Sequence, residues 1–178
     1  MIEVRHARPD DGDTLGEIHA TAWEASHAPF FEAEFAADAV RSRRTRWHER
    51  IAEGAGTILL AERDGHPLAL CWLRPSATRP GLGEIFSFYC HPDGWGSGVA
   101  GALMTEALRR LGDDGFPRVH LWTLRDTPQS RRFYVKCGFT ESGSTRAYDY
   151  GDGDPIDQVE YERACRPGGG GHGDESER

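Results

Sequence analysis

A glycine-rich segment joins a strand-like run to a helix-like run at residues 88–104, FYCHPDGWGSGVAGALM. Three glycines stand there at alternating positions, Gly94, Gly96 and Gly98. Glycine adopts backbone angles that other residues avoid, and it lets a ligand approach the chain closely. The helix that follows begins with unpaired N–H groups and a partial positive charge. The segment therefore predicts either a tight strand-to-helix turn or a turn that also binds a phosphate, and we favour the second.

The hydrophobic patterns around this segment predict a mixed α/β fold of seven strands and four helices. Apolar runs or alternations predict strands, and apolar residues recurring every three to four positions predict helices. Strands are expected at 2–8, at 56–76 as a hairpin turning at Asp64-Gly65, at 82–90 and 118–124, and near 140–149 and 156–164. Helices are expected from Thr14, capped by Asp13, to before Pro29, and then at 36–53, 98–111 and 128–139. The order β-α-α-β-β-β-α-β-α-β-β lacks the strict alternation of a doubly wound parallel sheet.

The length and composition suit one soluble domain, which we place at 1–165. The chain has 178 residues, of which 38% are hydrophobic. Its glycine-rich end, 166–178, has little to bury and is predicted to be a disordered tail. No apolar run is long enough to span a membrane, and the N-terminus lacks a signal-peptide core, so a cytoplasmic location is expected. The net charge of −8 argues against a nucleic-acid partner.

The cysteines and the clustered aspartates predict no metal site. The cysteines form no CxxC pair and lie in apolar segments, which favours buried free thiols in a reducing compartment. They are Cys71, Cys90, Cys137 and Cys165. The aspartates lack the spacing of a calcium-binding loop, so we interpret them as turn residues. They are Asp149, Asp152, Asp154 and Asp157.

The glycine segment also fits the dinucleotide-binding pattern GxGxxG at Gly96, Gly98 and Gly101. That pattern belongs in a first strand–helix–strand unit, with an acidic residue about 20 positions further on at the end of the next strand. Here several strands come first, and Asp126 lies past the expected position. An oxidoreductase that binds nicotinamide or flavin is therefore the lesser hypothesis.

Two segments resemble the GNAT superfamily of N-acetyltransferases. Residues 95–100, WGSGVA, resemble its coenzyme-binding signature Arg/Gln-x-x-Gly-x-Gly/Ala, with a tryptophan in place of the first residue. Residues 120–139, HLWTLRDTPQSRRFYVKCGF, resemble its second signature, a strand and a short helix that ends in Tyr-x-x-x-Gly-Phe. The element order over residues 2–164 resembles the family's as well. The resemblance implies a mixed sheet whose fourth and fifth strands splay apart, with acetyl-CoA as co-substrate in the opening.

The resemblance also implies which residues bind acetyl-CoA. The pantetheine arm would pair with the backbone of the fourth strand at Phe88 and Cys90. The diphosphate would lie on the glycine turn, whose implied residues are Trp95, Gly96, Ser97, Gly98, Val99 and Ala100. Trp95 would either contact the ligand or serve only as a packing aromatic. Thr127 stands where many relatives carry Asn, and its hydroxyl would cap the next helix or bind the arm.

Two catalytic side chains are implied by the same resemblance. Tyr134 falls where family members carry a tyrosine that protonates the departing thiolate. A phenol, with a pKa of about 10, can do so at neutral pH, and core packing is the alternative role. Glu84 stands where some members carry a glutamate base, and an ordinary strand-end carboxylate is the alternative. His120, on the fifth strand, would be either buried or facing the substrate.

The acceptor would be a primary amine on a small molecule or peptide, bound between the first two helices and the last hairpin. The candidate residues for its site are Trp23, His27, Phe30 and Phe31. These aromatics suggest a partly apolar amine, or else they belong to the core. The arginines at 41–50 most simply form a solvated helix face, and they would favour an acidic substrate if they act in binding. The chain is thus predicted to be an acetyl-CoA-dependent N-acetyltransferase, with a homodimer as an open expectation. The alternative is a non-catalytic acyl-CoA-binding module on the same fold.

Overall fold

A computed structural model describes residues 1–166 of the chain. Seven strands form one sheet in the order β1-β2-β3-β4-β5-β7-β6. The strands are β1 Ile2–His6, β2 Thr57–Arg63, β3 His66–Pro75, β4 Gly83–Cys90, β5 Arg118–Leu124, β6 Thr140–Tyr148 and β7 Ile156–Ala164. The helices are α1 Gly12–Ser26, α2 Ala33–Thr45, α3 Trp47–Glu53, α4 Val99–Asp113 and α5 Pro128–Lys136. None of these helices is long and apolar enough to cross a membrane.

The predicted order of elements is confirmed, with two local corrections. The segment at 36–53 is not one helix, because α2 ends at Thr45 and α3 begins at Trp47. Helix α1 begins at Gly12 rather than near Thr14, and Asp13 does not cap it. Instead the Asp11 carboxylate accepts hydrogen bonds from Arg5 Nη1 at 2.7 Å and from the Arg8 backbone N–H at 2.6 Å. The predicted tail, apart from its first residue, lies outside the described residues.

Helices cover both faces of the sheet, and the alternation of side chains along the strands explains why. Leu59 and Cys71 belong to a core shared with α4 and α5. Leu60 and Leu70, their neighbours along the same strands, pack with Leu15 of α1 and with α3 on the opposite face. Successive side chains of a strand point to opposite faces, so β2 and β3 are apolar nearly throughout.

The cysteines are free thiols, but they are not all buried. Cys71 and Cys165 are buried, whereas Cys90 and Cys137 are only partly buried. The prediction of buried thiols is therefore right for two of the four cysteines. The two partly buried cysteines lie close to the opening in the sheet that is described next.

Strands β4 and β5 separate shortly after they meet, as predicted. They pair in parallel only through Gly83 with Val119 and Glu84 with His120, whereas every other neighbouring pair of strands is antiparallel. The pairing of β4 with β3 also shifts by one residue at Phe86, which is a bulge in β4. Beyond Glu84 the edge of β4 that faces β5 therefore has no partner strand among the described residues. Unpaired backbone groups at such an edge are available to a ligand.

Candidate active site

A cleft of about 1320 Å³ occupies the opening between β4 and β5. One end of it, here called the glycine end, is lined by Gly96, Gly98 and Gly101 together with α5. The other end, here called the arginine end, is lined by Arg43, Arg46 and other residues of α1, α2, α3 and the β6–β7 connection. Helices α4 and α1 pack on opposite faces of the sheet, so the cleft connects the two faces.

The glycine turn places free backbone donors at the start of α4. Gly96 and Gly98 have φ angles of +71° and +89°, a backbone conformation that favours glycine. Gly101 lies in the first turn of α4, and a Cβ added there would meet no other atom within 4 Å. The N–H groups of a helix's first turn have no intrahelical acceptor, so those of Ala100 and Gly101 are open to a ligand. The N–H of Val99 is not equally free, since it donates to a nearby side chain.

The side chains of Ser97 and Trp95 stabilise this turn by hydrogen bonds to nearby backbone groups. Ser97 Oγ donates to the Gly94 carbonyl at 2.6 Å and accepts the N–H of Val99 at 3.3 Å. Trp95 is 47% exposed and lines the cleft, and its Nε1–H donates to the carbonyl of Cys90 at 3.2 Å. The tryptophan therefore connects the turn to the end of β4 while leaving one side of its ring open to the cleft.

Phe88 and Cys90 line the cleft from β4, in agreement with their predicted position. The Phe88 ring lies 5.4 Å from that of Phe133 on α5, so the two sides of the opening touch here. Burial raises the pKa of the Cys90 thiol to about 11. Because the thiolate is the nucleophilic form, this cysteine is not suited to covalent catalysis at neutral pH.

Tyr134 of α5 lies among aromatic rings at the edge of the cleft. Its ring centroid is 5.9 Å from that of Phe139 and 6.4 Å from that of Phe88, and the residue is 8% exposed. Its hydroxyl forms no hydrogen bond with the described part of the chain, although the residue lines the cleft. Burial raises the pKa of the phenol above its usual value of about 10, so Tyr134 keeps its proton at neutral pH.

Thr127 precedes α5 and lines the cleft, but it does not cap the helix. Its Oγ1 is buried and has no hydrogen-bond partner among residues 1–166. A buried hydroxyl without a partner costs free energy. Of its two predicted roles, helix capping is therefore wrong, and a bond to the coenzyme arm stays a prediction.

Glu84 is buried at the point where β4 and β5 part, and it lines the cleft. Its carboxylate lies 3.5 Å from Arg74 Nε and 3.9 Å from His120 Nε2. The carboxylate thus lies beside one cation, and the imidazole is beyond hydrogen-bond distance.

His120 is fully buried, which decides between its two predicted positions. Its Nδ1 lies 2.9 Å from Glu160 Oε2, and its Nε2 lies 2.6 Å from Ser76 Oγ. The residue does not line the cleft, so it does not face a substrate.

The four aromatic candidates for acceptor binding divide into two pairs. His27 and Phe30 line the cleft, as predicted. Trp23 is fully buried, and neither it nor Phe31 lines the cleft, which argues against the acceptor role for these two residues and leaves the core role that the sequence also allowed. The rings of His27 and Phe31 instead stack on the Trp23 ring, at 5.3 and 5.4 Å. The buried Trp23 ring therefore packs behind the His27 ring.

The arginines of 41–50 do not form one solvated face. Arg41 and Arg44 point outward and pair with Asp38 and Glu17, whereas three others line the cleft. The three are Arg43, Arg46 and Arg50. Arg43 lies on α2, Arg46 between the two helices and Arg50 on α3, so no single helical face in the sequence groups them.

The comparison with protein families decides what kind of chain this is. The Acetyltransferase (GNAT) family model matches residues 17–139, which is more than half of the chain. The chain belongs to the GNAT acetyltransferase family. The matched region includes the glycine turn, Glu84 and Tyr134. The resemblance inferred from two short signatures is therefore confirmed.

Individual GNAT and acetyltransferase proteins show the same likeness. The mycothiol acetyltransferase of Sanguibacter keddieii is 32% identical over 148 residues, which are 79% of this chain and 44% of that protein. The chain thus spans less than half the length of this curated relative. The PaiA N-acetyltransferase of Thermoplasma acidophilum, solved with coenzyme A, has a TM-score of 0.73 at 20% identity and covers 92% of this chain and 99% of its own. YncA of Salmonella typhimurium, solved with acetyl-CoA, has a TM-score of 0.68 at 16% identity, with coverage of 95% and 96%. At these identities the two structures show the shared GNAT fold alone.

The GNAT family match ends before β6 and β7, yet this hairpin completes the cleft. Arg146, Tyr148 and Tyr150 line it from β6 and the following turn. The sequence predicts that the last hairpin takes part in acceptor binding, but it singles out neither these three side chains nor His19 and Tyr89 on the opposite wall. Their local sequence gives no sign that they share a cleft, because they come together only in the folded chain.

Two of the clustered aspartates accept hydrogen bonds from backbone N–H groups of the turn between β6 and β7. Asp149 Oδ1 accepts the N–H groups of Gly151 and Gly153, at 2.7 and 3.1 Å. The Asp152 carboxylate accepts the N–H of Asp154 at 3.1 Å. Within residues 1–166, no group of three or more His, Cys, Asp or Glu side chains could hold a metal ion.

Proposed function

We propose that this chain transfers an acetyl group from acetyl-CoA to a primary amine by direct attack, without a covalent enzyme intermediate. The observation that carries the proposal is the continuous cleft that brings the glycine turn, Glu84 and Tyr134 together where β4 and β5 part. The binding of coenzyme A to PaiA and of acetyl-CoA to YncA, which share the fold, supports the choice of co-substrate.

The glycine end fits the coenzyme by its donors and by its open space. The diphosphate would accept the N–H groups of Gly96, Gly98 and Ala100 at the positive end of α4. The pantetheine arm would pair with the unpaired edge of β4 near Phe88 and Cys90, with Thr127 Oγ1 as a further partner. Acetyl-CoA supplies the activated acyl group as a thioester.

The chain's own residues would move two protons. Glu84 would take a proton from the substrate ammonium, so that the neutral amine can form the new C–N bond. Tyr134 would give its phenolic proton to the sulfur as the C–S bond breaks, and the second proton that the attacking nitrogen loses as the amide forms would restore the phenol. Backbone N–H groups near Cys90 would stabilise the negative charge that develops on the carbonyl oxygen.

The test that separates an enzyme from a binding module is Tyr134→Phe. The Tyr134 hydroxyl has no partner in residues 1–166, and the ring supplies the packing, so the variant should fold like the wild type. We expect kcat to fall by about 10²–10³-fold, as for the loss of a general acid, with little change in acetyl-CoA affinity by calorimetry. Release of the coenzyme A thiol in the presence of an amine panel measures kcat.

Tyr161→Phe is the matched control, because Tyr161 does not line the cleft. It should turn over like the wild type. Unchanged turnover in Tyr134→Phe would remove Tyr134 from the mechanism. A wild-type protein that binds acetyl-CoA but acetylates no amine in the panel would instead favour the non-catalytic acyl-CoA-binding module.

The acceptor is not fixed by the relatives. The Sanguibacter keddieii mycothiol acetyltransferase is more than twice as long as the region that this chain matches, so its acceptor enters the amine panel only as one candidate. The single domain at 1–165 and the homodimer also stay predictions. Light scattering on the purified chain would test the dimer.

A further inference from the structure

The arginines of 41–50 differ in whether an acid pairs with them. Arg41 and Arg44, on the outer side of α2, form ion pairs with Asp38 and Glu17. The three arginines of this segment that line the cleft form no ion pair with any residue of 1–166. They are Arg43, Arg46 and Arg50. The cations that face the cleft are therefore the ones whose charge the fold leaves uncompensated.

Several hydrogen-bond donors at the arginine end are also buried without a partner in the described chain. Arg43 Nε and Arg50 Nη1 are two of them. His19 is the third, and it is 3% exposed. Its Nδ1 accepts the Trp47 Nε1–H at 3.0 Å, so the hydrogen of the neutral ring lies on Nε2, which has no partner. Trp23 Nε1 is a fourth such donor, but Trp23 does not line the cleft. Buried donors are paired in most proteins, so the three orphans on residues that line the cleft point to an acceptor group that comes from outside.

Aromatic rings hold these guanidinium groups in place. Arg43 lies 4.2 Å above the Trp23 ring, and Arg50 lies 4.9 and 5.0 Å from the rings of Trp47 and Trp72. Burial and the neighbouring arginines lower the pKa of Arg43, and they lower that of Arg50 to about 10. Both groups remain cations at neutral pH. These guanidinium groups are already largely removed from water in the folded chain. Binding an anion therefore costs less free energy of desolvation, which favours it.

The acids near this end do not neutralise it. Glu84 lies beside Arg74, and Asp149 Oδ1 is bonded to the amides of its own turn. Arg146 adds a further cation to the lining, with its Nε donating to Gln158 at 2.7 Å. The arginine end thus carries excess positive charge in a chain whose net charge is −8.

From this juxtaposition we propose that the acceptor amine carries an anionic group, a carboxylate or a phosphate, and that Arg43, Arg46 and Arg50 bind it. The proposal rests on the acetyltransferase function proposed above and names the substrate class of that same cleft. Tyr89 connects the arginine end of the cleft with the edge of β4 near Phe88. It follows Phe88 on β4, and its ring lies 4.2 Å from that of His19 at the arginine end. An anion at the arginines would therefore hold the acceptor beside the edge of β4.

The test compares pairs of probes that differ in one anionic group. N-acetylphenylalanine and its amide resemble an acetylated product with and without a carboxylate, and 2-aminoethyl phosphate and 2-aminoethanol form the second pair. Calorimetry is performed with saturating coenzyme A, so that phosphate-binding groups at the glycine end are filled. We expect the acid of at least one pair to bind tenfold or more tightly than its neutral partner, and the pair that responds identifies the anion.

Variants of the arginines assign the preference to its residues. Arg43→Gln, Arg46→Gln and Arg50→Gln should each reduce the preference for the acid at least threefold. Arg41→Gln and Arg44→Gln are the matched controls from the same segment, and they should retain it. Arg46 contacts only the Ser42 hydroxyl among its hydrogen-bond partners here, so its substitution is the least disruptive to the fold.

Equal binding of acid and neutral probe in both pairs would overturn the inference, as would a preference that survives all three cleft variants. This outcome is distinct from failure of the proposed function. A chain that does not bind coenzyme A can still be titrated with the same probe pairs, and an acid preference in that chain would keep the anion site while removing the acetyltransferase.

Discussion

The two ends of the cleft are built in different ways. The glycine end consists of backbone groups from one short segment, between the end of β4 and the first turn of α4. The arginine end consists of side chains from three helices and a distant hairpin, which approach one another only in the folded chain. A ligand at the first end would meet main-chain donors that any sequence with suitable glycines provides. A ligand at the second would meet charges whose identity depends on this particular chain.

Glu84 lies between the two ends, so its substitution should have the largest effect. Glu84→Gln keeps the shape of the side chain but removes its capacity to accept a proton. We expect kcat to fall by about 10²–10⁴-fold while acetyl-CoA affinity changes less than about twofold. Steady-state kinetics with acetyl-CoA titration checks both values.

Glu62→Gln is the control for this substitution. Glu62 is a half-buried strand carboxylate bonded to Arg5, and it lies outside the cleft. It should retain wild-type kcat. A Glu84→Gln enzyme with normal kcat would show that another group, such as a chain of waters, removes the proton.

Gly101→Leu tests the glycine end alone. A Cβ added at this position meets no other atom within 4 Å, and replacing a helical glycine stabilises a helix by about 0.5–1 kcal/mol. If the coenzyme lies on this turn, acetyl-CoA affinity should fall about 10–100-fold while the melting temperature stays the same or rises. Gly101→Ala, with its shorter side chain, should bind nearly normally. Equal affinity in Gly101→Leu would place the coenzyme elsewhere.

Arg5 and Arg50 allow a comparison between an arginine that stabilises the fold and one that is proposed to bind a ligand. The Arg5 guanidinium holds the pKa of Asp11 below its usual value, with the Arg8 amide as a further donor. Asp11→Asn should lower the free energy of unfolding by about 2 kcal/mol at pH 7. A depressed carboxyl pKa contributes stability above the unfolded value of 3.8, and this contribution is lost as the pH falls. The difference between variant and wild type should therefore shrink below about pH 4 in urea titrations.

Arg50→Met should have the smallest effect on stability. Arg50 has no acid partner in residues 1–166, so its removal costs ring contacts but also relieves a desolvated charge. We expect the free energy of unfolding to change by less than about 1 kcal/mol. A loss as large as that of Asp11→Asn would mean that Arg50 serves the fold rather than a ligand.

The difference between the glycine end and the arginine end explains what could be predicted from the sequence. The element order, the glycine turn and the parting of β4 from β5 follow from local patterns and from two family signatures. The break between α2 and α3 at Arg46 was missed, because a helical repeat continues across it. Which of Trp23 and His27 lines the cleft and which belongs to the core stayed open in the sequence, since both residues show the same aromatic character. The presence or absence of an ion pair distinguished the outer arginines of 41–50 from those that line the cleft, and ion pairs form only in the folded chain.

Calorimetric titration of the wild-type chain with acetyl-CoA, and separately with NADH, tests the central claim most directly. We predict saturable binding of acetyl-CoA with one site per chain and no binding of NADH. Binding of NADH but not acetyl-CoA by the folded protein would contradict the assignment of the glycine turn to coenzyme A and would favour a dinucleotide at the same GxGxxG segment.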